Sequence, residues 1–514
     1  MNFFPRPKHS RPTPGYAHPA AVQAAPVERD SGSARASTQG TWIALAGIGI
    51  TAVALHGIRA SDVARVAAIG TGISVGISVA LDARRGLRNL IRADLLALLS
   101  YYFLTFFEFL FPQENFDILV TQPSAKSGSL VVLIGFAGLL IGRHLIRPKR
   151  QPLAQLLTQA IPPGWFLAIL WCSAAIGYAH MLLAVNFNMF DFVEALIAPR
   201  FSQPWGRGRF GDWKALFHEL GMLIQLIPPI AGIVFARRQR YALIHLVLVG
   251  SIFFFTLFYG FSTGTRNVFI SYLVTFFIGY SFSLAQNRQR ELAVISAVCV
   301  FLTLFATTFM LQFRTVGLKS YLSGDYVPPM TRESSLYVDY NLYAICRLTE
   351  VFPARQDYLG FEIPYNALIR PIPRAMWPGK PEGLSTSIEQ AMGQEGLTIS
   401  ASFAGEAYMS GGPWAVLIVG LFFGALTGWW GYLASTRNSE LGILIYASGF
   451  FAAVISMRSL FVFTTALLPT VAAIVLGTFL VRKLVAQAQR WLRRPASQRP
   501  PPPRFPGPRE KQQP

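Results

Sequence analysis

Long apolar runs alternate with short polar connections over most of the chain. Each run covers roughly 17–25 residues, about the length that an α-helix needs to cross a bilayer. The pattern predicts an all-α, polytopic membrane protein with about twelve transmembrane helices. The predicted spans are 42–58, 66–81, 95–111, 129–146, 165–185, 215–236, 241–261, 268–284, 292–311, 414–434, 441–457 and 460–481.

One polar segment of about 100 residues, 312–413, separates the ninth and tenth runs. The pattern therefore predicts five regions: a disordered tail over 1–40, nine helices within 41–311, one large periplasmic loop over 312–413, three helices within 414–482, and a disordered basic tail over 483–514. Inside the loop, apolar periodicity predicts a helix over 332–351 that Pro353 ends. Ser385 or Thr386 is predicted to cap a further short helix.

The formal net charge is +20. If both termini are cytoplasmic, the inner loops and tails carry this entire excess, as the positive-inside rule requires. The charge therefore indicates topology and contact with anionic lipids, and it does not indicate nucleic acid. The 52% hydrophobic and 14% charged residues also favour a membrane protein, since soluble domains carry about 25% charged residues.

Several kinds of site have no sequence signature here. Cys172, Cys299 and Cys346 share no outer loop, so no disulfide framework is expected. The chain has no P-loop, no HExxH and no outer-loop pair of aspartates that would hold a metal on a nucleotide-sugar. We therefore expect neither a metal site nor a cofactor.

Arginines at the edges of apolar runs are the first candidates for chemistry. Arg266 stands in the short turn 261–267 and Arg458 in a connection of almost no length. Charges at such positions often face a cavity or a substrate path, although each arginine can equally anchor its turn at the headgroups. Two guanidinium groups at equal depth can clamp a phosphate through bidentate hydrogen bonds.

A proline-rich segment, 370–381, adds three further cations. Arg370, Arg374 and Lys380 lie on a backbone that four prolines stiffen. Such a rigid cationic lid over a helix bundle favours an anionic substrate at the membrane surface. Binding of lipid phosphates is the alternative.

Carboxylates and aromatic residues complete the candidate site. Glu406 precedes the tenth run by fewer than ten residues, where burial would suit it to act as a general base; pairing with a nearby arginine is the structural alternative. Asp339 and Glu389 are further acid–base candidates, and His218 is a weaker one. Trp377 and Tyr408 can stack on sugar rings or anchor the chain at the interface.

Two motifs resemble those of bacterial O-antigen polymerases, the Wzy-type polymerases of oligosaccharide repeat units. They are 372–381 (Ile-Pro-Arg-Ala-Met-Trp-Pro-Gly-Lys-Pro) and 404–412 (Ala-Gly-Glu-Ala-Tyr-Met-Ser-Gly-Gly), and the resemblance covers roughly 241–480. It implies a GT-C-like membrane glycosyltransferase in the bacterial inner membrane. The substrate would be an oligosaccharide on undecaprenyl pyrophosphate, with a chain-length regulator as a further partner.

The resemblance also assigns roles. Glu406 and Arg266 would be catalytic, and Arg370, Arg374, Lys380, Arg458, Trp377 and Tyr408 would bind substrate. An O-antigen ligase shares the donor and the bundle, and a repeat-unit flippase is the alternative from another class. A flippase is expected to carry charges deep within several spans, whereas the runs here are almost free of charge, with Glu108 the main exception.

Overall fold

A computed structural model describes most of the chain. The described residues are 36–58, 62–85, 87–111, 113–146, 162–199, 202–205, 221–285, 288–313, 316–324, 341–370, 372, 376–381, 384–393, 400–433, 440–455 and 457–462. Within these ranges the secondary structure is helical and contains no strand. The predicted all-α class is confirmed for this part of the chain, while both predicted tails lie wholly or largely outside it.

The described residues contain the following α-helices, in chain order. They are α1 (Thr38–Ala54), α2 (Val63–Arg84), α3 (Ala93–Thr105), α4 (Glu114–Leu119), α5 (Gln122–Gly142), α6 (Pro163–Ala184), α7 (Met189–Ile197), α8 (Ile227–Ala236), α9 (Leu243–Ser262), α10 (Arg266–Ser283), α11 (Gln289–Phe313), α12 (Gly317–Leu322), α13 (Asn341–Val351), α14 (Glu362–Ile369), α15 (Ile388–Ala391), α16 (Ser402–Leu433), α17 (Glu440–Ile455) and α18 (Leu460–Val462).

In the described part of the chain, seven of these helices are long and apolar enough to cross a membrane: α1, α2, α5, α6, α9, α11 and α16. Shorter apolar helices lie at other predicted spans, at Ala93–Thr105, Gly221–Ala236, Val268–Ser283 and Glu440–Phe450. Large apolar side chains on the outside of the bundle are exposed, among them Val53 (74%) and Phe301 (65%). Exposed apolar surface of this extent is costly in water, so the bundle is compatible with a membrane protein.

Backbone-to-backbone packing joins α5 to α16. Gly138 and Gly142 on α5 face Gly420 and Gly424 on α16. A β-carbon built on Gly138 would lie 2.9 Å from the Cα of Gly420, and one on Gly424 would lie 2.9 Å from the Cα of Gly142. Small residues spaced by four let two helices approach this closely. We call this contact the glycine seam.

Four charged residues are buried together at one end of the seam. Arg92 donates to both carboxylate oxygens of Asp94, and its Nη1 lies 3.5 Å from Asp82 Oδ1. Arg143 Nη1 lies 3.7 Å from Asp82 Oδ2, and the Ser37 amide donates to Asp82 Oδ1 at 2.8 Å. All four charged side chains are at most 5% exposed. We call this the Asp82 end of the bundle.

The charges at the Asp82 end compensate one another. Burial by itself lowers the pKa of the Arg92 guanidinium, but the carboxylates of Asp94 and Asp82 outweigh burial, so the pKa lies above its ordinary value. The two arginines and two aspartates lie in or next to the terminal turns of three helices. The buried ion pairs therefore fix how the ends of α2, α3 and α5 meet.

The helix that contains the predicted span 414–434 begins earlier than expected, at Ser402. Its backbone is non-helical at Gly411 and Gly412, and Gly412 has a positive φ of 66°. Only glycine adopts this conformation readily, and the Tyr358 hydroxyl leaves no room there for a β-carbon. Residues 402–410, expected in the loop, thus form a separate helical segment whose Phe403 and Ala404 are fully buried.

The glycine seam yields a prediction about stability. Gly424→Ala places a β-carbon against α5, and overpacking of this kind costs about 1–3 kcal/mol. Gly76→Ala is a matched control, because Gly76 also lies in an apolar helix but a β-carbon there would have nothing within 4 Å. We expect a lower thermal unfolding temperature in detergent for Gly424→Ala only. Equal unfolding temperatures for both variants would contradict the seam.

The buried charges yield a second prediction. Asp82→Ala leaves Arg92 and Arg143 with one carboxylate between them, and breaking a buried pair in this way costs about 3–5 kcal/mol. Glu194→Ala is the control, since Glu194 forms an exposed pair with Lys319 and such pairs contribute little. The measurement is thermal unfolding of the purified protein. Unchanged unfolding of Asp82→Ala would show that the cluster does not hold the helix ends together.

Candidate functional site

The Glu406 carboxylate binds the turn that connects α17 and α18. Its Oε1 accepts a hydrogen bond from Ser459 Oγ at 2.6 Å, and its Oε2 accepts one from the Leu460 amide at 2.7 Å. Glu406 is 6% exposed. The amide belongs to the first residue of α18, where helical N–H groups lack partners, so the carboxylate caps this helix. It also fixes the turn that carries Arg458.

Arg370 reaches the same turn from another helix. It is the C-cap residue of α14, and its guanidinium carbon lies 4.9 Å from the centroid of the Phe461 ring. This is within cation–π range. Phe461 directly follows Leu460, whose amide donates to the Glu406 carboxylate. Arg370, Glu406 and the Arg458 turn therefore form one cluster, which marks the Glu406 end of the bundle.

Lys380 attaches the proline-rich segment to the C-terminal end of α14. Its Nζ donates to the carbonyls of Arg370 and Ile372, both at 2.9 Å. Carbonyls at a helix C-terminus lack intrahelical partners and attract cations. Further along, Glu362 accepts hydrogen bonds from the amide and the hydroxyl of Ser385, the latter at 2.7 Å. Lys380 thus holds the loop in place, a role that the phosphate-binding prediction did not include.

A buried asparagine anchors the start of α16. Asn341 is fully buried, donates to the Leu104 carbonyl at 2.9 Å and accepts from the Ser402 amide at 3.1 Å. The Phe403 amide donates to the Met457 carbonyl at 3.1 Å. Helices α3, α13, α16 and the Met457 turn are therefore tied together close to Glu406.

The two aromatic candidates lie in different surroundings. Tyr408 is only 8% exposed, donates to the Phe352 carbonyl at 3.3 Å and packs edge-on against Tyr358. In this arrangement it supports the connection after α13. Trp377 is half-buried in the turn before Lys380, which leaves part of its ring accessible.

Arg266 begins α10, after the tight turn Thr263–Thr265 in which Gly264 has a φ of 62°. The other end of α10 lies near the Asp82 end, because Phe282 packs on Tyr446, whose hydroxyl donates to the Ile91 carbonyl. Arg266 is therefore at the Glu406 end. It belongs to the second of two packed groups of helices, whereas Glu406 belongs to the first.

Some candidates fall outside the described residues, namely Arg374, Asp339 and His218. Glu389 lies in α15, where Ser387, not the predicted Ser385 or Thr386, provides the capping box with Gln390. Among the described residues, no group of three or more His, Cys, Asp or Glu side chains is arranged to hold a metal ion.

Sequence reasoning missed four residues of this cluster: Ser459, Phe461, Asn341 and Glu362. Ser459 next to Arg458 was visible as a polar pair between apolar runs, and such a pair often caps the following helix. The other three had no usable signal, since their partners are far away in the chain.

Comparison with known proteins gives one family match. A family model described as a domain of unknown function (DUF8712) matches residues 341–487. The matched part begins at the buried Asn341 and contains Arg370, Lys380, Glu406 and Arg458, but not Arg266. No curated protein and no solved structure matches the chain. The matched segment thus contains the cluster at the Glu406 end, and its description assigns no activity.

The capping role of Glu406 can be tested. Glu406→Ala leaves the Ser459 hydroxyl and the Leu460 amide without their acceptor, which costs about 1–3 kcal/mol for buried groups. Ser459→Ala removes one of the two bonds and should destabilise less. Asp357→Ala, at an exposed position, is the control. Thermal unfolding should rank the variants in that order, and a Glu406→Ala protein as stable as the control would rule out the capping role.

Proposed function

We propose that the protein polymerises lipid-linked oligosaccharide repeat units, transferring the growing glycan from undecaprenyl pyrophosphate to a new unit. The observation that carries the proposal is the cluster of Arg370, Glu406 and the Arg458 turn at one end of an apolar helix bundle. Cations and a carboxylate at the edge of an apolar bundle suit a substrate that is half lipid and half charged glycan. Arg266 lies at the same end.

The proposed reaction needs charge stabilisation more than covalent help from the protein. The acceptor hydroxyl oxygen attacks the anomeric carbon of the donor glycan, and the bond from that carbon to the pyrophosphate oxygen breaks. Negative charge then develops on the leaving pyrophosphate, where preorganised guanidinium groups stabilise it. Arg370, Arg458 and Arg266 supply these groups, with Arg374 and Trp377 as further binding residues.

The acceptor hydroxyl must also lose its proton. Glu406 is the proposed base, with its position fixed by Ser459 and Leu460. Each carboxylate oxygen has more than one acceptor site, so the two capping bonds leave capacity for a third donor. Tyr408, which packs against Tyr358, is then a supporting residue for the segment that carries Glu406, in addition to its proposed part in binding.

The wider architecture is part of the same proposal. About twelve spans with a GT-C-like arrangement would place the Glu406 end in the periplasm and both termini in the cytoplasm of the bacterial inner membrane. Anionic lipids would neutralise the basic inner loops. A chain-length regulator is a proposed partner, and nucleic acid is not.

Two alternatives share some of this support. An O-antigen ligase would use the same donor and the same cations, but would pass the glycan to a different acceptor. A flippase is favoured by one observation, the buried charges at the Asp82 end. Those charges are paired with one another at the ends of helices, and this favours a structural role over a path for substrate.

The polymerase proposal predicts the effect of single substitutions. Arg266→Ala and Arg370→Ala should abolish long polysaccharide while single repeat units still reach the surface, since the leaving-group charge loses its partners. Loss of one such donor typically costs about 10²–10³ in rate. Arg355→Ala, an exposed arginine after α13, is the control and should retain the normal ladder. Polysaccharide gels of complemented deletion strains provide the measurement.

The deletion strain itself separates the alternatives. One capped repeat unit indicates a polymerase, long chains that fail to attach indicate a ligase, and loss of all surface material indicates a flippase. Protein levels of each variant are compared on immunoblots. Normal ladders from both arginine variants at normal protein level would overturn the assigned roles.

A further inference from the structure

Helix α14 has one buried face and one apolar exposed face. Ile363 and Ala367 are buried against the bundle, at 0% and 4% exposure. Four large apolar side chains on the opposite side are exposed: Phe361 (74%), Tyr365 (41%), Leu368 (59%) and Ile372 (38%). The spacing of four and three residues places Phe361, Tyr365 and Leu368 on a single stripe, and Ile372 follows just after the end of the helix. We call this set the α14 stripe.

The α14 stripe begins next to an exposed apolar face of α16. The Leu359 amide donates to the Met409 carbonyl and the Gly360 amide to the Ser410 carbonyl, both at 2.9 Å. Phe361 follows directly, so the stripe begins beside the break at Gly411 and Gly412. On the other side of this break, the candidate span exposes apolar residues four apart: Trp414 (75%), Ile418 (64%) and Phe422 (51%).

This continuity decides what covers the stripe. The exposed face of a membrane-crossing helix is covered by acyl chains, and the α14 stripe begins where that face ends. Helix α14 is too short to span a bilayer, since eight residues extend for about 12 Å. A short helix with one apolar face is suited to lie in the interface, with its apolar side chains at the headgroup–acyl boundary.

The charges next to α14 agree with this location. Arg370 ends the helix, and the Lys380 ammonium binds the same helix terminus. An arginine can keep its apolar stem beside hydrocarbon while its guanidinium group reaches phosphates. Trp377, in the turn that follows, is a residue type that favours the interface.

We propose that α14 is an interfacial helix whose stripe is embedded in the lipid bilayer. The partner surface is the boundary between phospholipid headgroups and acyl chains, on the side of the membrane where the Glu406 end lies. The segment 359–370 then attaches the large polar segment to the membrane surface and keeps Arg370 at headgroup depth. This inference requires that the chain spans a membrane, but it does not depend on the proposed polymerase activity.

A second short helix has a similar character. Helix α7 and the residues before it expose Phe187 (61%), Phe190 (89%) and Val193 (56%). The residues after its C-terminal end are packed close to Gly317, the first residue of α12. Lys319 on α12 also pairs with Glu194 on α7 at 2.8 Å. Helix α7 provides an independent position at which the same measurement can be made.

Site-directed spin labelling in lipid nanodiscs tests the proposal. Cys172 and Cys299 are replaced by alanine, while Cys346 stays, because it is fully buried and burial raises the pKa of its thiol, which suppresses labelling. Leu368→Cys and Phe361→Cys carry the label on the stripe. Ile418→Cys is the control for an acyl-chain position, and Asp357→Cys, in an exposed polar run, is the control for water.

The readout is accessibility of each label to oxygen, which partitions into lipid, and to a water-soluble nickel chelate. We expect labels at 361 and 368 to favour oxygen over the chelate, at a shallower depth than the label at 418. The label at 357 should show the opposite preference. A label at 368 that behaves like the one at 357 would overturn the proposal.

Protection of the label at 368 from both reagents would also overturn it, because the stripe would then be covered by protein. Polysaccharide gels of the same cysteine variants keep the two proposals separate. A normal ladder with a water-exposed stripe refutes only the interfacial helix. A lipid-embedded stripe together with an unchanged ladder in the deletion strain supports the interfacial helix and counts only against the proposed function.

Discussion

The glycine seam between α5 and α16 is the constraint on which the rest of the first helix group depends. Because the Cα atoms of the two helices approach without intervening side chains, the pair has little freedom to rotate or slide. In a bilayer, where lipid tails are as apolar as the helix surfaces, close packing of this kind replaces the hydrophobic effect as the main source of association. The seam thereby fixes the relative positions, along the helix axes, of the segments that are connected to α5 and to α16.

Both ends of the seam carry charge, but with different consequences. At the Asp82 end, a β-carbon on Gly428 would lie 2.9 Å from the Cα of Arg143, and one on Gly431 would lie 3.0 Å from Asp94 Oδ1. The charged side chains there are buried against these glycines and are paired with one another. At the other end, α16 breaks at Gly411 and Gly412, and the segment before the break holds Glu406 against the Arg458 turn. The first arrangement stabilises the fold, and the second brings acidic and basic groups to the edge of the bundle.

The sequence predicted the all-α class, and seven helices of the described residues are long and apolar enough to cross a membrane, because hydrophobic runs of sufficient length are a property of consecutive residues. It also identified the turn at Gly264, where local residue types decide the conformation. It did not predict that residues 402–410 are helical and buried, because Gly411, Gly412 and Pro413 are typical of a loop. Nor could it assign Lys380 to the carbonyls of Arg370 and Ile372 or Glu406 to the Leu460 amide, since both depend on how distant segments meet.

These contacts give different roles to Lys380 and Arg370, the two described cations of the proline-rich segment. Lys380 directs two of the three donors of its ammonium group to carbonyls of the chain, and it thereby shapes the segment that ends α14. Arg370 has a planar guanidinium with five donors, and the carbon of that group lies 4.9 Å from the centroid of the Phe461 ring. Its charge is also near a carboxylate that is itself held by two hydrogen bonds. Of the cations that the structure describes in this segment, Arg370 therefore has the geometry best suited to meet a phosphate group, and the interfacial position of α14 would bring that group to it.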